Sequence, residues 1–484
     1  MAEVQPHGQD RTAASIGCIA GLPAVGQVVV QEGARRDAAG TPRIGTAYAI
    51  QVLLCIVPTS ALLTLGEVEL AGQVFFALVG LLFMCLVVFG RQEALLCLLV
   101  SLAPFISLLR QSATHNIVVV LYGVALLYYY CRDSAAFRDV VFKRGWVRVL
   151  LLFIGSYYAL SLLFTGEYST NLRMFDMGFA VIAVLILGRK QDLLRAALLG
   201  LAVSTVMLGL ALLAHFGGLS NERLGLFEAG GQRYGNPAQL GTALAFCCLS
   251  LTIDGGRWLG LEGKAYLRYL LLLVVLSLLA LSTSRAAWLV WAGGMLVAIL
   301  VGKRQRMVAV CWIIALIALG CMLLSSRYGE ALEGGLNRTF DLDRPAAKIT
   351  SGRSEQWLVA YYIITDSAEN MLWGCGPGTG PSAFATYLGR VPGVEFGVWR
   401  PAALHSLYMQ VAVEAGLVGL TLVLLWLGAA LLAAVRYTRV TRNVLPLASL
   451  LGYGLIALTV SGNDTHSGIF LGVGLIGACG IEGA

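Results

Sequence analysis

Charged residues are scarce in this chain. Only 13% of its 484 residues are charged, 58% are hydrophobic, and the mean hydropathy is +0.78. In typical soluble domains about 25% of the residues carry a charge. This shortage excludes a soluble globular protein and predicts a polytopic membrane protein.

The apolar segments also lack the alternation of polar and apolar residues that a transmembrane β-strand requires. Segments 271–280 and 420–434 are apolar on every face, which excludes a membrane β-barrel and favours helices. We therefore predict an all-α fold, a polytopic transmembrane helix bundle of about 12–14 spans of roughly 20 residues. The candidate spans lie near 46–65, 70–90, 93–109, 116–131, 147–164, 174–188, 194–216, 237–254, 268–283, 286–301, 307–324, 408–435, 444–460 and 467–481.

Several function signals are missing. The chain has no phosphate-binding loop of the Walker type, no internal repeat and no Cys/His spacing typical of zinc. Of its eleven cysteines, only Cys375 falls in a predicted extracytoplasmic loop, so a disulfide has no partner there. Asp341-Leu-Asp343 resembles a metal-binding pair, but Arg338 and Arg344 flank it and favour ion pairing. We expect no metal, no cofactor and no nucleic-acid partner.

The loop cations predict the orientation, because short cytoplasmic loops retain Lys and Arg. With the N-terminus inside, the cytoplasmic loops hold Arg91; Arg132, Arg138, Lys143, Arg144 and Arg148; Arg189, Lys190 and Arg195; Arg257, Lys264 and Arg268; Lys303, Arg304 and Arg306; and Arg436, Arg439 and Arg442. We divide the chain into a flexible cytoplasmic tail (1–45), N-terminal transmembrane helices (46–216) and a second transmembrane region (217–484). The second region includes a large extracytoplasmic loop, 325–404, with short amphipathic helices.

The first extracytoplasmic polar segment, 217–236, offers Arg223 and Arg233. Asn236-Pro237 is typical of a helix start, with Asn as the N-cap and Pro at the first helical position. A helix N-terminus that faces the loop attracts anions. The alternative is an ordinary cap beside two solvated arginines.

Arg285 follows Ser282-Thr-Ser284 in a turn with hardly any loop between two apolar spans. An unpaired charge at membrane depth costs at least a few kcal/mol, so this side chain must reach the interface or a polar cavity. An anionic ligand would explain its placement. The alternative is an arginine that snorkels beside the interfacial Trp288.

The long loop is rich in arginine, including Arg353 and Arg400. Arginine binds phosphate oxygens through two parallel hydrogen bonds, as a diphosphate site requires. After Arg353, apolar and aromatic residues recur at helical spacing and predict a short helix that lies on the membrane surface or covers the bundle. They are Trp357, Ala360, Tyr361 and Ile364. Gly374-Cys-Gly-Pro-Gly378 then predicts a turn.

His405 begins the apolar helix that follows this loop, and Glu414 lies about two turns further along it. With a pKa near 6.5, a histidine can accept a proton at ambient pH. A lone histidine at a helix end is usually only interfacial, but a carboxylate inside a span normally faces a polar interior. Asp464 and His466, in the last extracytoplasmic loop, form a weaker proton-accepting candidate.

Taken in order, these motifs resemble the O-antigen ligase and polymerase superfamily of bacterial envelope glycosyltransferases. The resemblance extends from about Arg223 to Leu425. It rests on Arg223 and Gly225 before Gly235-Asn-Pro237; Ser284-Arg285-Ala-Ala-Trp288; Ser351-Gly-Arg353-Ser-Glu-Gln-Trp357 followed by Gly374-Cys-Gly-Pro-Gly378; and His405-Ser-Leu-Tyr-Met-Gln410 with Glu414-Ala-Gly-Leu-Val-Gly419.

The resemblance implies a metal-independent, inverting glycosyltransferase in the bacterial inner membrane, with its active site facing the periplasm. Its substrates would be a glycan linked to undecaprenyl diphosphate and an acceptor glycan or the lipid A core. Arg285 and His405 would be catalytic. The substrate-binding residues would be Arg223, Arg233, Arg353, Arg400 and Glu414, with either Arg223 or Arg233 at the family's arginine position. His405 would either deprotonate the acceptor hydroxyl or stabilise the leaving group.

The acceptor distinguishes a ligase from a repeat-unit polymerase, and the His-Ser-x-x-x-Gln segment, His405 to Gln410, slightly favours a ligase. A more distant alternative is a flippase or exporter of lipid-linked oligosaccharides. A transporter should line several spans with polar residues throughout their depth, and these spans are mostly apolar. The sequence therefore favours a site at one surface of the membrane.

Overall fold

The structure, a computed structural model, is described over most of the apolar part of the chain. The described residues are 42–109, 115–164, 169–215, 227–229, 232–234, 237–253, 256–301, 305–325, 333, 353–391, 404–459 and 465–481. Residues Tyr48–Ala484 form one compact unit. The predicted tail, 1–45, lies outside the described residues except for the first turn of helix α1.

The described chain is almost entirely helical, because only helices satisfy every backbone polar group within one apolar segment. The helices are α1 Pro42–Thr64, α2 Val68–Val88, α3 Gln92–Ser101, α4 Ala103–Leu109, α5 His115–Arg132, α6 Ser134–Val141, α7 Gly145–Phe164, α8 Ser169–Leu187, α9 Gln191–His215, α10 Pro237–Ile253, α11 Ala265–Leu281, α12 Arg285–Val301, α13 Gln305–Leu324, α14 Arg353–Thr365, α15 Ala368–Trp373, α16 Gly380–Leu388, α17 Leu407–Thr441, α18 Leu445–Thr459 and α19 Thr465–Ala478. A two-stranded hairpin, β1 Phe227–Ala229 and β2 Gln232–Tyr234, precedes α10. Every predicted apolar segment coincides with a helix or a bent pair, so the prediction of an all-α multi-pass bundle is confirmed.

Fewer helices than predicted are long enough to cross a bilayer alone. By length and composition, four described helices qualify, namely α2, α7, α9 and α17, and two bent pairs raise the number to six. The pair α3 and α4 bends by 59°, and α5 and α6 bend by 118°. Five further apolar helices, α10, α11, α12, α18 and α19, have only 14–17 residues, below the length of about 20 residues that a full crossing needs. The predicted spans therefore include many short or broken helices.

Helix α19 is a central element of the bundle, since every residue from Thr465 to Gly477 is buried. Two of its glycines permit close packing. A Cβ atom on Gly468 would lie 2.6 Å from the carbonyl oxygen of Met177, and one on Gly472 would lie 2.8 Å from the Cβ of Val184. Close approach through small residues is a common way to pack membrane helices. Because both contacts advance along both helices, α8 and α19 run parallel.

Helices α10 and α12 begin at the same end of the bundle. A Cβ atom on Gly241, near the start of α10, would contact Ser284, just before α12, and one on Gly294 would contact Leu249, further along α10. The two helices therefore run parallel. We call the end at which they begin the Arg285 end.

Further contacts fix the direction of the neighbouring helices. Gly209, near the end of α9, packs on Leu278, near the end of α11. Since α11 leads directly into Arg285, α9 also ends at the Arg285 end. Helix α8 precedes α9 through a short turn and must run antiparallel to it, so α8 and its parallel neighbour α19 both begin at the Arg285 end.

Helix α18 runs antiparallel to α19. A Cβ on Gly474 would contact Leu450, and a Cβ on Gly477 would contact Pro446 at the beginning of α18. The contacts move backwards along α18 as they move forwards along α19. Helix α18 therefore ends at the Arg285 end of the bundle.

Helices α14, α15 and α16 form a small lobe on the first turns of α17. Its own apolar core consists of Val359, Ala360, Ile363, Phe384, Val391, Leu404 and Val413. Helix α14 is the short helix that the sequence predicts after Arg353. Its buried face carries Ala360 as expected, but Tyr361 is 61% exposed, so the predicted apolar stripe is only partly the face that packs.

We expect Gly468→Ala to destabilise the bundle, because its new methyl group meets the backbone of α8. Overpacking of this kind typically costs about 1–3 kcal/mol. The control is Gly155→Ala in α7, where no atom lies within 4 Å of the added Cβ. Thermal unfolding of the purified protein in detergent should show a lower Tm for Gly468→Ala only. Equal Tm values would contradict this close packing.

Candidate functional site

Arg285 is the first residue of α12 and is held by a closely bonded turn. The Ser282 hydroxyl donates to the Leu279 carbonyl oxygen at 2.7 Å. Ser284 caps the helix, because its side chain accepts from the Ala287 N–H at 3.5 Å and its carbonyl accepts from the Trp288 N–H at 3.0 Å. The backbone of Arg285 is therefore fixed from both sides of the turn.

The turn also contains an unusual backbone conformation. Thr283 has a φ of 45°, a region that a β-branched residue rarely enters and that costs about 1–3 kcal/mol. Trp288, which the sequence predicts to be interfacial, donates its indole N–H to the Leu279 carbonyl oxygen at 3.1 Å. Trp288 therefore braces the turn that presents Arg285.

Positive charge is concentrated at this point. Arg285 is half-buried, and the N-terminus of α12 adds the partial positive charge of its free amide groups. A cation at a helix N-terminus is electrostatically unfavourable unless an anion is nearby. The geometry therefore suits a multiply charged anion such as a diphosphate.

His405 stands two residues before α17 and is also held in a left-handed backbone conformation, with a φ of 46°. Ser406 caps α17 by accepting from the Met409 N–H at 3.4 Å, and its hydroxyl donates to the Ala457 carbonyl oxygen at 3.4 Å. Ala457 lies near the end of α18, so the half-buried His405 is at the Arg285 end. The Tyr408 hydroxyl adds a second bond to α18, to the Gly454 carbonyl oxygen at 3.1 Å.

Glu414 is fully buried, and two backbone N–H groups of the glycine-rich turn hold its carboxylate. Its Oε2 accepts from Gly378 at 2.9 Å, and its Oε1 accepts from Gly380 at 3.1 Å. A Cβ on Gly380 would lie 2.5 Å from Oε1, so the turn can approach the carboxylate only without a side chain there. The predicted turn at Gly374–Gly378 is confirmed, with φ values of 75°, 102° and 82° at its three glycines.

Helix α17 breaks two residues after Glu414, at Gly416, whose φ is 64° and ψ is −167°. The carbonyl groups of Val413 and Glu414 instead accept from the N–H groups of Cys375 at 2.8 Å and Gly376 at 3.0 Å. The turn therefore makes four hydrogen bonds to this part of α17, two to its backbone and two to the Glu414 side chain. We call this arrangement, Gly374–Gly380 bound to Val413–Gly416, the clasp.

The clasp depends on glycine at both facing positions. A Cβ on Gly416 would lie 2.3 Å from the Leu372 carbonyl oxygen, and one on Gly374 would lie 2.4 Å from the Glu414 carbonyl carbon. Cys375 lies in the same turn. Burial, and to a lesser extent the charge of Asp366, raise the pKa of its thiol above the ordinary value. This thiol therefore stays protonated at neutral pH, which does not suit a nucleophile.

Gln410 connects the clasp to the first half of the chain. Its Nε2 donates to the Tyr157 hydroxyl of α7 at 3.1 Å and to Glu414 Oε1 at 3.4 Å. Tyr157 was not predicted, because a tyrosine within an apolar span gives no sign of a partner 253 residues away. Gln410 is part of the quoted motif, but its two partners were not predicted.

Of the remaining predicted residues, some are only partly described and others lie outside the described residues. Arg353 is the half-buried first residue of α14, in the lobe that packs on α17. Arg233 lies on β2, paired with Glu228, and only its backbone is described. Arg223 and Arg400 lie outside the described residues, as do Asp341, Asp343 and Asp464. His466 is buried in the first turn of α19, at the Arg285 end.

Several predicted site residues thus share one end of the bundle. Arg285 begins α12 and His405 stands two residues before α17, and both helices pack on α18. Glu414 joins α17 to the lobe that begins with Arg353. No group of three or more His, Cys, Asp or Glu side chains that could hold a metal ion occurs within the described ranges.

Gly416→Ala should open the clasp, because a φ of 64° with a ψ of −167° is a conformation that essentially only glycine adopts, at a cost of about 1–3 kcal/mol for alanine, and because the new methyl group clashes with the Leu372 carbonyl. Gly428→Ala in the same helix is the control, since no atom lies within 4 Å of its Cβ. Amide hydrogen exchange of the peptide spanning 375–380 should be faster in Gly416→Ala and unchanged in Gly428→Ala. Unchanged exchange in both variants would show that the clasp does not protect these amides.

A family model described as O-antigen ligase matches residues 270–424. No curated protein matches the chain. The matched segment, about a third of the chain, carries Arg285, Arg353, His405 and Glu414, and over these residues the chain is similar to the O-antigen ligase family.

Proposed function

We propose that this multi-pass membrane protein is an inverting, metal-independent glycosyltransferase of the O-antigen ligase type. It would transfer a glycan from undecaprenyl diphosphate to an acceptor hydroxyl at the periplasmic face of the bacterial inner membrane. The observation that carries the proposal is that Arg285 and His405 lie at the same end of the bundle, each at a helix start fixed by a strained residue and a serine cap. The family match supports the membrane glycosyltransferase class.

The reaction needs little from the protein beyond positive charge and a base. The acceptor oxygen bonds to the anomeric carbon while the bond from that carbon to the diphosphate oxygen breaks, and the electron pair stays on the diphosphate. Arg285 and the N-terminus of α12 would stabilise the departing charge. His405 would take the proton of the acceptor hydroxyl. Attack from the side opposite the leaving group inverts the anomeric configuration.

Arg353 and the arginines at 223, 233 and 400 remain candidates for binding the diphosphate or the glycan. For Glu414 the contacts favour a different role from direct substrate binding. Its carboxylate is 0% exposed and is occupied by two backbone N–H groups and Gln410. We therefore propose that Glu414 is a positioning residue, which holds the first turns of α17 and thereby His405.

The repeat-unit polymerase is the alternative within the same superfamily. Both enzymes would use the same donor chemistry, and they differ only in whether the acceptor is the lipid A core or a second lipid-linked repeat. A gene deletion separates them. Accumulation of polymerised, unligated glycan indicates a ligase, whereas accumulation of single lipid-linked repeats indicates a polymerase. Surface glycan that is intact but inefficiently exported would instead indicate a transporter.

Arg285→Ala and His405→Ala should each reduce transfer at least about 100-fold, the effect typical of removing one group that stabilises transition-state charge. The matched control is Arg439→Ala, an exposed arginine in the last turn of α17. Complementation of the deletion strain, with protein levels measured in membranes, should restore surface glycan only with the control. Full activity of both site variants would exclude this mechanism.

Glu414→Gln should lower the turnover number without weakening donor binding, because a glutamine amide keeps the shape but presents an N–H to one of the two donors. An unsatisfied buried group of this kind costs about 1–3 kcal/mol. Arg285→Ala is the comparison, and there we expect weaker donor binding. Steady-state kinetics with lipid-linked donor should show a lower kcat at unchanged KM for Glu414→Gln. A raised KM at unchanged kcat would instead indicate direct substrate contact.

A further inference from the structure

The outer face of α14 carries large apolar and aromatic side chains where a water-exposed helix would carry charges. Leu358, Tyr361 and Tyr362 are all exposed, at the i, i+3 and i+4 spacing of one helix face. The opposite face, with Val359 and Ile363, is buried in the core of the lobe. Packing within the lobe therefore accounts for one face of α14 and leaves an aromatic face outside.

Helix α15 continues this apolar surface. Its last three residues, Met371, Leu372 and Trp373, are all exposed, and Trp373 is 64% exposed. Residues 358, 361, 362, 371, 372 and 373 form what we call the platform face. A contiguous exposed patch of several large apolar side chains on a folded protein marks a contact with another apolar phase or partner.

The third helix of the lobe, α16, exposes polar side chains. Helix α16 and the turn after it expose Ser382, Thr386 and Arg390. The lobe thus has a polar side and an apolar side, as expected of a structure that lies at a boundary between water and lipid.

The platform face lies beside the exposed apolar surface of α17, a helix long and apolar enough to cross a bilayer. In the clasp, the backbone of Leu372 and Trp373 lies against Gly416. The residues directly after this glycine, Leu417 and Val418, are exposed, as are several that follow on α17. The apolar surface therefore continues from the lobe onto a helix that is long and apolar enough to cross a bilayer.

We propose that the platform face lies in the headgroup boundary of the lipid bilayer, with Tyr361, Tyr362 and Trp373 at the interface. Tyr and Trp favour this depth because their rings are apolar while their O–H and N–H groups reach water. The partner is the lipid surface itself. This inference does not depend on the proposed reaction, but it sets the depth of the clasp, and so of the first turns of α17, at the headgroup level.

The test uses the full chain in nanodiscs of phosphatidylethanolamine and phosphatidylglycerol. Nitroxide labels are attached to Tyr361→Cys and Trp373→Cys, in a background where the exposed Cys131 and Cys321 are alanine. Thr386→Cys on the polar side of the lobe is the matched control. Collision rates with oxygen, which concentrates in lipid, and with a water-soluble nickel chelate are measured by electron paramagnetic resonance.

We expect the ratio of oxygen to nickel collisions to be several-fold higher at positions 361 and 373 than at 386. Ratios at positions 361 and 373 as low as the ratio at 386 would mean that the platform face is in water and would overturn the proposal. Low collision rates with both reagents at 361 and 373 would mean that protein covers this face, which would overturn it as well. Each labelled variant must elute as the parent does in size exclusion, so that misfolded protein is excluded before measurement.

Discussion

The break of α17 at Gly416 releases two backbone carbonyl groups, and the local structure around His405 depends on the hydrogen bonds that they accept. A carbonyl group left unpaired in an apolar interior costs several kcal/mol. The N–H groups of Cys375 and Gly376 satisfy these carbonyls, and the N–H groups of Gly378 and Gly380 satisfy the Glu414 carboxylate. A membrane helix can be broken here because another segment of the chain replaces the lost helical bonds.

The same break gives α17 two halves with different surroundings. The first turns, from Leu407 to Glu414, are mostly buried against α18, the lobe and Tyr157, whereas the part after Gly416 exposes many of its apolar side chains. A straight helix would carry both halves along one axis. The break lets the His405 end turn into the protein while the remainder stays at the lipid-facing surface.

Much of the fold could be predicted from the sequence because apolar runs specify membrane helices almost by themselves. The turn at Gly374–Gly378 was also predictable, since clustered glycines punctuate a chain locally. Its partner was not, because Glu414 is bound by backbone N–H groups, and any residue type carries those. The role of Tyr157 was not predictable for a related reason, because a tyrosine in an apolar span gives the same sequence pattern whether it faces lipid or a buried glutamine.

The bends within spans could not be predicted, for a physical reason too. Hydropathy records whether a segment is apolar but not whether its helix continues, so the bend between Ser101 and Ala103 is invisible to it. Hydropathy also does not record whether an apolar helix faces lipid or protein, as the short helix α19 shows. Its 14 residues fall well short of a full crossing, but it is buried on every side by helices that approach its glycines.

The positions of Arg285 and His405 follow one local design. Each stands near a helix start, with a serine cap that fixes the first turn. Arg285 follows the left-handed Thr283 by two residues, and His405 is itself left-handed. Strain of this kind persists only where surrounding contacts determine the backbone, and here Trp288 and Ser406 supply those contacts. The two side chains are therefore presented by rigid helix starts rather than by the long loop that separates them in the sequence.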